Sequence, residues 1–262
     1  MSLFFKETGN KQGKIIVFIH GGGISGWMWE KQLEHFKDYH CIVPDLPEHG
    51  KTINSGEISI KNSAKLIAEL IEKTAKGKKV NIVGHSLGAK IVIELLNSTP
   101  EVIDHAVIAS ALCKPMPLMM LMHKPLIYKL TVKMLKVNWI LNFQVKQFKL
   151  PTDINYDYLK KDFQDMTPEM MYRIYDEVYQ HLHIPKELEN IHVPTLVVAG
   201  EKESKAMKQS VMDIINILPN AKGVIIKNGL HTYPWVMFES FNEILRAWLD
   251  DKNINNEQVS KL

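Results

Sequence analysis

Gly84-His85-Ser86-Leu87-Gly88 follows the short apolar run at 79–83 and opens an apolar helix carrying Ile91, Val92, Leu95 and Leu96. A serine at a sharp strand-to-helix turn needs glycine two positions to either side, because side chains there would meet the neighbouring strand and helix. The strained turn then lifts the hydroxyl clear of the backbone. The plain alternative is a glycine-rich turn whose serine only caps the helix. Upstream, His20-Gly21-Gly22-Gly23 directly follows another apolar run at 14–19. Glycines there let backbone N–H groups approach a ligand without interference from a Cβ. Acyl transfer needs two such donors for its oxyanion. The N–H of Leu87, at a helix start, is one candidate, and Gly22 is the other, with Gly23 next to it. A phosphate loop is the rival reading, but Ile24-Ser25-Gly26 stands where such a loop would end in Lys-Ser/Thr.

The surrounding elements must hold these turns at one edge of a sheet. Short β-branched runs at 14–19, 40–43, 79–83, 105–109, 195–199 and 223–227 alternate with longer amphipathic stretches, the pattern of βαβ units and a mostly parallel sheet. Residues 3–7 are expected to pair with the sheet edge. Helical spacing puts Ala64, Ile67, Ala68 and Ile71 on one face of 61–73, and Met237, Phe238, Phe241, Leu245 and Trp248 on one face of 234–249. The polar tail from Asp251 reads as frayed. Between 113 and 190 the alternation breaks into helix-like stretches punctuated by Pro115, Pro117, Pro125, Pro151, Pro168 and Pro185. Thr167-Pro168-Glu169 there has the order of a helix start, with an N-cap, a proline at the first position and an acid in the first turn.

Taken together, His-Gly-Gly-Gly after one strand, Gly-His-Ser-Leu-Gly after a later one and a lone Gly-x-His far downstream resemble the α/β-hydrolase superfamily, and its carboxylesterase-like serine hydrolases in particular. The turn from Val43 to Gly50 is similar to that family's as well, with Asp45 structural rather than catalytic. The resemblance implies an α/β fold whose core is formed by residues 1–112 and 191–262, with 113–190 as an inserted helical cap. It also implies a base and an acid for Ser86. His231, after the last predicted strand and before the last helix, lies in a loop at the edge where Ser86 emerges. His20 and His85 read as parts of their turns. Where the family commonly has Gly-x-x-Asp, this chain has Gly200-Glu201-Lys202-Glu203; Glu203 is the expected acid and Glu201 its competitor. The order Ser86, Glu203, His231 is the one this fold uses. The implied chemistry is hydrolysis of an ester-like bond through an acyl-enzyme, with no metal or organic cofactor. The same triad also serves thioesterases, C–C bond hydrolases, lyases and cofactor-free haloperoxidases, and the same fold can serve as a small-molecule sensor.

Composition bounds the partners. The 262 residues are 45% apolar, and 32 Lys+Arg against 29 Asp+Glu leave a net charge of +3, without the clustered basic face that nucleic acid requires. Two cysteines, Cys41 and Cys113, make no disulfide framework, and the amino terminus has no secretory pattern, so the reading is cytoplasmic. Eight of the thirteen methionines lie in 113–190, which suits an adaptable pocket for an apolar acyl or aromatic small molecule, or simply helix packing. That region is also split in charge. Residues 113–150 hold seven lysines (Lys114, Lys124, Lys129, Lys133, Lys136, Lys146, Lys149) and no acid, whereas 151–190 hold nine acids and four Lys or Arg. The halves could face each other, the basic half could meet a membrane surface or other anionic target, or both could be solvated helix faces.

Overall fold

Ile15, Val17 and Ile19 point to one side of strand β2 (Ile15–Ile19), Ile16 and Phe18 to the other, and all five are buried. A strand that is apolar on both faces must lie between two layers. The computed structural model of the protein, which describes residues 2–147 and 156–261, has that form. An eight-stranded sheet runs in the order β1 (Phe5–Gly9), β3 (His40–Pro44), β2, β4 (Val80–His85), β5 (Ile103–Ala109), β6 (Thr195–Gly200), β7 (Ala221–Ile226), β8 (Val259–Lys261). The inner strands are parallel, and β1 and β8 close the two edges antiparallel.

Helices α2 (Ile60–Ala75) and α3 (Leu87–Ser98) cover one face together with α9 (Lys205–Ile217). On the other face lie α1 (Glu30–His35), α10 (Tyr233–Val236) and α11 (Phe238–Leu249). Two expectations need correction. The helix expected at 234–249 is broken at Met237, whose φ of −115° and ψ of 41° are not helical, so its register restarts at Phe238. The tail is not frayed: Ile254 is buried and β8 pairs with β7, because an open sheet edge leaves N–H and C=O groups that another strand can satisfy.

Between β5 and β6 come five helices and, among the described residues, no strand: α4 (Pro117–Leu121), α5 (Pro125–Leu135), α6 (Asn138–Gln147), α7 (Tyr156–Asp165) and α8 (Pro168–Gln180). The start of α8 is as the sequence suggests, Thr167 Oγ1 accepting the Met170 N–H at 3.2 Å with Pro168 at the first position. Lys149 and Pro151 lie outside the described residues. The two halves of this insertion do meet, but through rings rather than charge. Tyr128 of α5 packs against Tyr172 and Tyr175 of α8, and His123 stacks on Tyr172 while donating to Asp176 at 3.0 Å. Lys124, Lys129, Lys133, Lys136 and Lys146 pair with no acid among the described residues. Complementary charge is therefore not what joins the halves.

Polar contacts also tie the insertion to the core. Asp162 of α7 accepts from Ser25 Oγ at 2.9 Å and Trp27 Nε1 at 2.6 Å; Arg173 of α8 pairs with Glu48; and Glu177 accepts the Ile60 N–H that opens α2, at 2.7 Å.

Candidate active site

Parallel strands deliver their following loops to one edge, which is where α/β sheets gather functional groups. Ser86 stands between β4 and α3 with φ 55° and ψ −113°, a backbone conformation that L-residues rarely adopt. The flanking glycines are a packing necessity: a Cβ on Gly84 would run into Gly88 O, and one on Gly88 into Ile19 O of β2. Gly22, after β2, lies beside Leu87, its Cβ position being 3.6 Å from Leu87 Cδ2. The N–H groups of Gly22 and Leu87 have no acceptor among the described residues, whereas that of Gly23 donates to His49 Nε2 at 2.9 Å and that of Gly21 meets Met28 Sδ. This makes Gly22, not Gly23, the free neighbour of Leu87. Ile174 of α8 packs directly on Gly22.

Glu203 and His231 meet across the loops after β6 and β7. His231 Nδ1 donates to Glu203 Oε1 at 2.5 Å, with the carboxylate 3% and the imidazole 45% exposed. The other carboxylate oxygen, Oε2, accepts the Gly200 N–H at 2.7 Å and the Ser110 hydroxyl at 2.8 Å. The two loops touch backbone to backbone, since a Cβ on Gly200 would strike Gly229 O, and the Lys202 N–H donates to that same oxygen at 2.9 Å. Glu201 is elsewhere: its carboxylate accepts the Asn228 N–H at 2.8 Å and braces the loop. No hydrogen bond joins Ser86 Oγ to His231, whose hydrogen-bond partners are Glu203 and His85.

Four further residues support the site. Ser110, at φ 58° after β5, aims its hydroxyl at Glu203. With that proton committed, the Tyr233 hydroxyl is the donor in its 3.3 Å contact with Ser110 or toward Val198 O at 3.4 Å. His85 is buried and kept neutral by desolvation; its Nε2–H donates to His231 O at 3.0 Å, and its ring lies 4.7 Å from that of His231. His49 donates from Nδ1 to Pro47 O and accepts from Gly23, and its pKa is pushed down to about 3 by burial and by the neighbouring His20. A polar residue ending an apolar strand, as Ser110 does, was the available signal; its partner was not legible. Asp45 accepts the N–H groups of Gly26 and Lys51, both at 2.9 Å, a loop-bracing role.

A family model for the alpha/beta hydrolase fold matches residues 14–134, the stretch that contains both glycine turns. The chain has the α/β-hydrolase fold. A superfamily protein of Gibberella zeae is 33% identical over 104 residues, 38% of this chain and 36% of its own length. A protein of Pseudomonas syringae pv. syringae, provisionally assigned as a carbamate hydrolase, is 26% identical over 249 residues, covering 89% of this chain and 93% of the relative. Among solved structures, MenH from S. aureus superposes with a TM-score of 0.73 at 21% identity, covering 96% of this chain and 98% of that one; this likeness is one of fold. Among the described residues no helix is long and apolar enough to cross a membrane, and no cluster of three or more His, Cys, Asp or Glu side chains could hold a metal ion.

Proposed function

We propose that the protein is a serine hydrolase that cleaves an ester-like bond of a small apolar substrate, with Ser86 as nucleophile, His231 as base and Glu203 as the orienting acid. The observation that carries this reading is the strained, positive-φ Ser86 at the sheet edge that also holds the His231–Glu203 hydrogen bond. Ser86 Oγ attacks the carbonyl carbon as His231 Nε2 takes its proton, and the N–H groups of Gly22 and Leu87 receive the oxyanion. The imidazolium then protonates the leaving alcohol, and a water activated by His231 releases the acyl group. Residues 113–190 act as a cap, with Ile174 lying over Gly22 so that the insertion limits what reaches the oxyanion site. Met166 is buried and Met170 half-buried in the same apolar cluster as Leu87 and Ile174, and such flexible apolar neighbours favour an acyl or aromatic group. The chemistry derived from these side chains uses no cofactor.

The test is covalent labelling by a fluorophosphonate probe together with turnover of short p-nitrophenyl esters. Labelling is expected to vanish in Ser86→Ala and to slow by orders of magnitude in His231→Ala. Labelling that persists without Ser86 ends the assignment. Slow single turnover with tight retention of the ligand would instead make the protein a sensor built on this fold.

A further inference from the structure

Helix α5 is apolar on two opposite sides. Tyr128, Val132 and Leu135 form its buried stripe. At about 100° per residue, Leu126, Leu130 and Met134 fall on the far side of the helix, and all three are exposed, Leu126 by 64%. A helix at a protein surface ordinarily carries one apolar stripe, turned to the core. The helices before and after α5 in the chain also expose apolar side chains. α4 buries none of its residues and exposes Leu118, Met119, Met120 and Leu121, while α6 exposes Trp139 (73%) and, one turn on, Phe143. Exposed apolar side chains gathered on three consecutive helices mark an interaction site, unlike the scattered single residues of an ordinary surface.

The charges decide what covers it. Lys124, Lys129, Lys133, Lys136 and Lys146 are interleaved with these apolar side chains, are exposed and pair with no acid among the described residues, and 113–147 contain no Asp or Glu. A second copy presenting the same face would set five unpaired lysines against five. Three acids of the other half are engaged elsewhere: Asp162 with Ser25 and Trp27, Asp176 with His123, Glu177 with the start of α2. Leucine, methionine, tryptophan and phenylalanine ringed by lysines fit the interface of an anionic bilayer, where apolar side chains enter the acyl boundary and ammonium groups reach lipid phosphates. Among the described residues no helix is long and apolar enough to cross a bilayer, so the face is read as lying on a membrane surface.

We propose that α4, α5 and α6 form a face that docks this protein on anionic membrane surfaces. Trp139 makes the test direct, because Trp27, Trp29, Trp235 and Trp248 are all buried and it alone of the five is exposed. The full chain is mixed with vesicles of phosphatidylcholine alone, or of equimolar phosphatidylcholine and phosphatidylglycerol, and followed by co-sedimentation and tryptophan emission. Docking predicts sedimentation with the anionic vesicles only, a blue shift that is absent in Trp139→Tyr, and weakening as salt rises. Replacing Lys129, Lys133 and Lys136 by Gln should weaken binding by roughly fivefold per lysine. Leu126→Gln with Leu130→Gln should abolish the shift, while fluorophosphonate labelling, as a check of the fold, stays unchanged. Ser86→Ala should still bind, which separates this proposal from the catalytic one. Equal binding to neutral vesicles, no binding to either, or a lipid-free dimer that buries Trp139 would each overturn it.

Discussion

Glu203 has two oxygens in different company. Oε2 already accepts from Gly200 and Ser110, so in Glu203→Gln the amide oxygen must take that position and the NH₂ must face His231. An amide donor there forces Nδ1 of His231 to accept, moves the ring proton to Nε2 and leaves no lone pair for the serine proton. The expected outcome is an intact fold with kcat lowered by up to about 10⁴-fold, the scale of the equivalent change in serine proteases. Glu201→Gln, which touches only the Asn228 N–H, should change kcat little. Steady-state kinetics on the two variants decides between them, and greater damage from the Glu201 change would move the acid by two positions.

Helix α7 is latched to the core by a carboxyl that burial makes reluctant to ionise. Asp162 has its pKa raised to about 6, chiefly by desolvation, with Asp45 adding to the effect and the hydrogen bonds from Trp27 and Ser25 opposing it. An acid whose pKa rises on docking contributes most when protonated. Its contribution is present in full below about pH 4 and is lost as pH rises through about 6. The insertion should therefore sit more tightly at pH 5 than at pH 7.5. Amide hydrogen exchange over α7, corrected for intrinsic rates, should show greater protection at the lower pH. In Asp162→Asn the side-chain oxygen still accepts from Trp27 and the amide can donate to Ser25, but nothing titrates, so the pH difference should disappear. Equal protection of the native chain at both pH values would remove Asp162 as a latch.

Across the folded chain, the buried histidines act in the opposite direction. His20 donates to Gly21 O and accepts the Leu46 N–H, and burial pushes its pKa down to about 4; His49, its ring 5.0 Å away, is pushed down to about 3. Both bases favour the folded state when neutral. Their contribution is complete above about pH 6.5 and is lost as pH falls through about 4 and then 3, on the order of 3 kcal/mol for His20 alone. Urea denaturation midpoints should drop steeply between pH 6 and pH 4. His20→Gln, which keeps a donor and an acceptor but cannot be protonated in this range, should lower stability at neutral pH and flatten that slope. An unchanged slope would place the acid sensitivity elsewhere.

Ser86, the glycine turns and the alternation of strands and helices were legible because they are local. A strained turn needs Gly84 and Gly88 whatever surrounds it, and a doubly covered strand such as β2 is apolar at every position. The resemblance favoured Glu203 over Glu201, but the residues of that turn taken alone did not decide between them. The choice depends on how the Gly200 and Gly229 loops abut, a contact between segments nearly thirty residues apart that two acids two positions apart in sequence do not reveal. Nor could the charge counts of the insertion show which helix faces meet: Tyr128, Tyr172 and His123 join the halves, and the lysines are left outward. Periodicity reports that α5 has apolar stripes, but only packing against α8 determines which of them is buried and which remains for a partner.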